Sequence, residues 1–150
     1  MRTASQDYNI AAALCVTGGQ ELAHCLLYGV EDVSARVATR LLGQHRSGYW
    51  LRQFCVPAAD APSGLWYVLD LAQSPPSVNW WHVCAALQDR ACFRESAADL
   101  AMLEIAASIA GPHRVNLRAA LGLLDDQEQA LALDALAEAV GRRSPGQQMR

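Results

Sequence analysis

Hydrophobic positions recur along this chain at two different spacings, and the change between them divides it into thirds. Residues 1–8 are polar, and Ile10 to Val16 is an apolar run closed by the turn signal Gly18-Gly19. That run is too short for periodicity to separate a strand from a helical turn. From Gln20 the spacing becomes helical: Leu22, Cys25, Leu26 and Leu27 share a face that Gly29 interrupts. A second helix is expected from about Glu31, since acidic residues suit the positive end of the helix dipole. Its apolar positions are Val33, Val37, Ala38 and Leu41; Arg36 and Arg40 occupy another face, and Gly43 is its natural stop.

The middle third is aromatic and β-branched, a composition that suits a pleated surface. Tyr49 to Val56, Leu65 to Leu71 and Val78 to about Leu87 read as strands. Pro57 to Gly64 and Gln73 to Pro76 are loops between them. The first two runs suggest an antiparallel hairpin, and a weaker run, Ala91 to Arg94, is placed to pair with the third. The rival reading makes Val78 to Arg90 a helix; composition favours strands.

Helical spacing returns at Ser96-Ala97-Ala98-Asp99, a capping box with aspartate in place of the usual glutamate. Leu100, Leu103, Ala107 and Ile109 then mark a helix of about 14 residues ended by Gly111-Pro112. Val115 to Leu124 is a shorter helix with Leu117, Leu121 and Leu124 on one side. Asp125 or Asp126 caps a last one, with Ala130, Leu133, Leu136 and Val140 as its face and Gly141 as its stop. The expected fold is α+β: a small antiparallel sheet of three to four strands packed against N-terminal and C-terminal helices. Residues 1–141 form one domain, and 142–150 a flexible tail.

Composition adds limits rather than an identity. The chain has 150 residues, 52% hydrophobic and 18% charged, enough to build one core. A net charge of -3 gives no footprint for nucleic acid as the primary ligand. All basic residues are arginine, which together with abundant alanine is the pattern of a GC-rich genome. No stretch reaches the roughly 20 apolar residues of a membrane span, and the Ile10–Val16 run lacks the basic flank and cleavage pattern of a signal peptide. A cytoplasmic location follows, with the five cysteines reduced and acting as small hydrophobes.

Candidate chemistry is thin. On a strand, His82 and Cys84 share a face and would form a thiolate–imidazole pair, but no third group orients the histidine. Cysteine and histidine spacings match no zinc motif, so neither a metal nor a cofactor is expected. Asp125, Asp126 and Glu128 are accounted for as capping residues. Arg36, Arg40, Arg46 and Arg52 lie near Tyr49 and Trp50, the one basic–aromatic concentration in the chain. Trp80 and Trp81 would point to opposite faces of a strand, one into the core and one outward, and an exposed tryptophan often anchors a protein contact.

Ala35-Arg36-Val37-Ala38-Thr39-Arg40-Leu41-Leu42, then Ser47-Gly48-Tyr49-Trp50 and Gly64-Leu65-Trp66-Tyr67, resemble the ArdB/KlcA-type antirestriction proteins, and Ser96 to Ala101 resembles the helix start after that family's sheet. Two departures are the missing N-terminal Phe-Leu-Pro signature and the Val68-Leu69-Asp70-Leu71 sequence after Tyr67. The resemblance implies an α+β protein from a mobile element that antagonises a host restriction system without hydrolysis. The expected function is therefore a non-enzymatic, protein-binding inhibitor of a bacterial defence system (restriction or CRISPR). Its surface would draw on Trp50, Trp66, Trp80 and Trp81 with Arg36, Arg40 and Arg52. The alternatives are a dimeric structural or chaperone-like protein and a thiol enzyme using Cys84 and His82.

Overall fold

A computed structural model describes residues 18–55, 69–70, 77–89, 93 and 95–141. Seven α-helices carry the described part of the chain: α1 (Gly19–Leu27), α2 (Val33–Gln44), α3 (Tyr49–Phe54), α4 (Trp80–Leu87), α5 (Ala97–Ala110), α6 (Leu117–Gly122) and α7 (Asp126–Ala139). Sheet structure among these residues is one antiparallel pairing of β1 (Leu69–Asp70) with β2 (Ser77–Val78), in the register Leu69 to Val78 and Asp70 to Ser77. The expected α+β sheet of three or four strands is thereby overturned: the fold is helical.

The strand readings fail where composition competed with spacing. In Tyr49–Phe54 the buried residues are Trp50, Leu51 and Phe54, one helical face and not an alternation. In Trp80–Leu87 they are Trp80, Val83, Cys84, Ala86 and Leu87, again a helical stripe. Asn79 starts that helix by accepting a hydrogen bond from the His82 N–H through its side chain (3.2 Å). Helix spacing and a cap thus outweigh the β preference of tryptophan and valine. The expected hairpin partner of Leu65–Leu71 is also replaced, since Leu69–Asp70 pairs with Ser77–Val78. The first apolar run, Trp66, most of 56–76, the 91–94 run apart from Phe93, and the expected tail lie outside the described residues.

The helix boundaries follow their caps. Asp32 accepts from the Ala35 N–H (3.0 Å) at the start of α2, and Ser96 accepts from the Asp99 N–H (3.2 Å) at the start of α5. Asp125 and Glu128 form a complete capping box on α7. Helix α5 is buried on nearly all sides, as an apolar helix at the centre of a bundle must be. Against it packs α2, which also meets α1, α3 and α7. The core joins Leu22 and Leu26 of α1, Val37, Leu41 and Leu42 of α2, Trp50 of α3, and Met102, Leu103 and Ile105 of α5. In α7 the buried residues are Ala132 and Ala135, while Leu133 and Val140, expected inside, are exposed.

One contact in this packing has no room for a side chain. A Cβ on Gly19 would lie 2.4 Å from the Ser47 carbonyl carbon, 2.5 Å from the Gly43 oxygen and 2.6 Å from the Gly48 nitrogen. All three are backbone atoms, so no rotamer change relieves the clash. Gly19→Ala is expected to cost about 1–3 kcal/mol or more. Gly122→Ala, where a Cβ meets nothing within 4 Å, should be neutral or slightly stabilising. Urea unfolding midpoints of the two variants check both outcomes.

Candidate functional site

Where α2 ends, the chain makes a 3-10 turn, His45–Ser47, before Gly48 opens α3. Arg46 (φ 47°), Ser47 (φ 54°) and Gly48 (φ 79°) are all left-handed. For L-residues with a Cβ this conformation costs roughly 1–2 kcal/mol each, so the surroundings must hold it. Arg52 Nε donates to the Ser47 carbonyl (2.9 Å). Arg46 Nη1 donates to Asp99 Oδ2 (2.5 Å), and its guanidinium lies 4.6 Å over the Tyr49 ring. The Asp99 hydrogen bond and charge hold the Arg46 guanidinium above its ordinary pKa. Burial, followed by the Glu95 and Asp99 carboxylates, pushes the Tyr49 phenol up, with Arg46 acting the other way.

This turn delivers His45 into the protein. Its side chain is 0% exposed, and Nε2 lies 2.7 Å from Glu128 Oε2 and 3.8 Å from Asp99 Oδ1. Both carboxylates occupy the third position of their helices, α5 and α7, where a capping box would place its acid. Glu128 fills that role with Oε1, accepting from the Asp125 N–H (3.1 Å), and turns Oε2 to His45. Asp99 gives its Oδ2 to Arg46 and leaves Oδ1 toward the imidazole. The Asp99 backbone carbonyl accepts from Trp50 Nε1 (2.9 Å), which fixes the start of α5 over α3. The Nδ1 atom of His45 is buried without a hydrogen-bond partner among the described residues. One ligating atom from each of His45, Asp99 and Glu128 lies within 4.8 Å of the other two.

Of the residues expected to form a surface, Trp50 and Trp80 are buried, Arg40 and Trp81 exposed, and Arg36 and Arg52 half-buried. Trp50 is fully buried, edge-on to Tyr49 and Phe93. Trp80 is 6% exposed and Trp81 73%, the division expected for the pair, although a helix and not a strand produces it. Arg36 Nη1 donates to the Leu27 and Val30 carbonyls, closing the end of α1, and Arg40 pairs with Glu138 of α7. Arg36, Arg40 and Arg52 therefore brace the fold. On helix α4, His82 is exposed and Cys84 buried, so the two do not face a common side as a strand would have required. His45, Asp99 and Glu128 had no signal as a group, because Asp99 and Glu128 were each explained by capping and His45 matched no motif.

A second polar locus lies at the far end of α4, where Leu87, Gln88, Pro112, His113 and Arg114 line an open cleft of about 650 Å³. His113 Nε2 is 3.6 Å from Glu104 Oε1. Among the described residues no helix is long and apolar enough to cross a membrane. Comparison with known protein families, curated proteins and solved structures finds no match.

Burial raises the Cys84 thiol above its ordinary pKa, with a backbone hydrogen bond at His113 opposing it, and the sulfur rests 3.8 Å from the Ala107 carbonyl. A thiol in this state is a poor nucleophile. Native-state alkylation read by peptide mass mapping should label half-buried Cys25 well before Cys84, with Cys84 reacting only as urea unfolds the chain. Because the folded pKa is raised, the Cys84 contribution to stability is present below the unfolded thiol pKa and lost as pH climbs toward the folded one.

Proposed function

We propose that the chain is a protein-binding domain that works by covering a surface of its partner, and that the partner belongs to a bacterial defence system. The observation that carries the binding surface is Trp81. Helix α4 is anchored by Trp80, Val83, Cys84 and Leu87, so Trp81 is held on a rigid element while 73% exposed. A large aromatic side chain left in water on a fixed helix is the common form of an interface anchor. His82 and Ala85, also exposed on this helix, would lie beside it at the contact.

Support for the target class is the likeness of Ala35–Leu42 and Ser47–Trp50 to antirestriction proteins. That likeness is one of sequence: Tyr49-Trp50 starts α3, not the strand the family layout would place there. A second reading, self-association, is favoured by Leu123, Leu133 and Val140, exposed large apolar residues of the α6–α7 region.

Phage plating on hosts carrying defined restriction or CRISPR systems tests the target class, and equal plating with and without the protein on every defended host rejects it. In that assay Trp81→Ala should lower the gain at least about tenfold, as loss of an interface anchor would. Its urea midpoint should stay close to the parent's. Sedimentation at increasing concentration addresses the other reading: self-association through the α6–α7 face predicts a dimer that Leu133→Asp abolishes.

A further inference from the structure

We propose that His45, Asp99 and Glu128 bind a divalent transition-metal ion, a role that goes beyond the partner-binding reading and does not depend on it. Three inward atoms define the site: one imidazole nitrogen and two carboxylate oxygens, all within 4.8 Å of one another. This donor set suits Zn²⁺ or Mn²⁺ better than Mg²⁺ or Ca²⁺, because imidazole is a poor ligand for the harder ions.

The outer oxygens supply the second argument. Metal-binding carboxylates are themselves held by hydrogen bonds that orient the coordinating atom. Here Asp99 Oδ2 accepts from Arg46 and Glu128 Oε1 accepts from the Asp125 backbone, which leaves one oxygen of each acid aimed at His45 Nε2. Neither restraint comes from a flexible surface contact alone: the Asp125 N–H is the N-cap of α7, and Asp99 is pinned through Trp50 as well.

Geometry and charge agree with an ion between them. At metal–ligand distances of about 2.0–2.2 Å, tetrahedral neighbours stand about 3.4 Å apart. The observed 2.7 Å and 3.8 Å separations from Nε2 bracket that value, and the ligating atoms of the three residues all lie within 4.8 Å of one another. With His45 neutral, the two carboxylates and Arg46 sum to one negative charge around a fully buried imidazole, a balance that a cation improves. Glu128, 17% exposed, gives the entry side. With the ion at Nε2, the single proton of a neutral His45 sits on Nδ1, the buried nitrogen without a partner among the described residues, and three protein ligands leave a coordination position for water.

Full-length protein stripped with chelator and dialysed against Zn²⁺ or Mn²⁺ should retain about one ion per chain by elemental analysis. Saturating Zn²⁺ should raise Tm by about 5 °C, with Mg²⁺ and Ca²⁺ inactive. Glu128→Gln keeps an acceptor for the Asp125 N–H but removes the charged ligand, and should weaken binding at least tenfold. Equal binding by the variant overturns the proposal, as does no retained ion in the parent. Should the variant be unstable in chelator, histidine ring NMR of the parent decides. Zn²⁺ must move the His45 signals and leave those of His24, His82 and His113 in place; the reverse pattern, or no change, means the cluster holds only a proton.

Discussion

An imidazole with no exposure, held against two carboxylates, is the constraint around which this fold is arranged. Removing charged groups from water is unfavourable unless their partners are close and well aligned. The alignment comes from three separate pieces of chain: the end of α2 brings His45, the start of α5 brings Asp99, and the start of α7 brings Glu128. Each carboxylate stands in the first turn of a helix, where backbone N–H groups favour negative charge. The two helix starts must therefore point at one spot for the cluster to exist. Through His45, which meets both acids, the cluster ties together the end of α2 and the starts of α5 and α7.

Around that cluster arginines link neighbouring segments, Arg40 and Arg46 from half-exposed positions. Arg36 crosses from α2 to the carbonyls at the end of α1, Arg40 reaches α7, and Arg46 joins the turn to α5. A planar guanidinium that can meet several acceptors at once suits such bridging better than an ammonium would. An arginine-only composition, which looked like a matter of codon usage, thus has structural employment at these positions. In the basic–aromatic concentration around Tyr49 and Trp50, Trp50 is core, and Arg36, Arg40 and Arg52 turn to the protein's own backbone and acids.

Much of the helical framework was legible from local rules. Ser96, Asp125 and Gly29 mark boundaries through hydrogen bonds or backbone freedom within a few residues, and those effects are visible in a short window. In the middle third two signals conflict: Tyr49, Trp50, Trp80, Trp81 and Val83 favour strands on average, while the spacing Trp80, Val83, Cys84, Leu87 is helical. Of the face expected for α7, Leu136 packs against the core while Leu133 and Val140 are exposed; the buried positions are Ala132 and Ala135, whose small side chains allow close approach. The site was not legible at all. Arg46 meets Asp99 across 53 positions and His45 meets Glu128 across 83, and no local pattern encodes such separations.

The seat of Gly19 makes one end of α1 a reporter on distant parts of the chain. That seat consists of backbone from Gly43, Ser47 and Gly48, so its shape depends on the left-handed turn. The turn is secured in part by Asp99, and its histidine by Glu128, both from later in the chain. A disturbance at the start of α5 or α7 is therefore passed, through backbone that has no slack, to the start of α1.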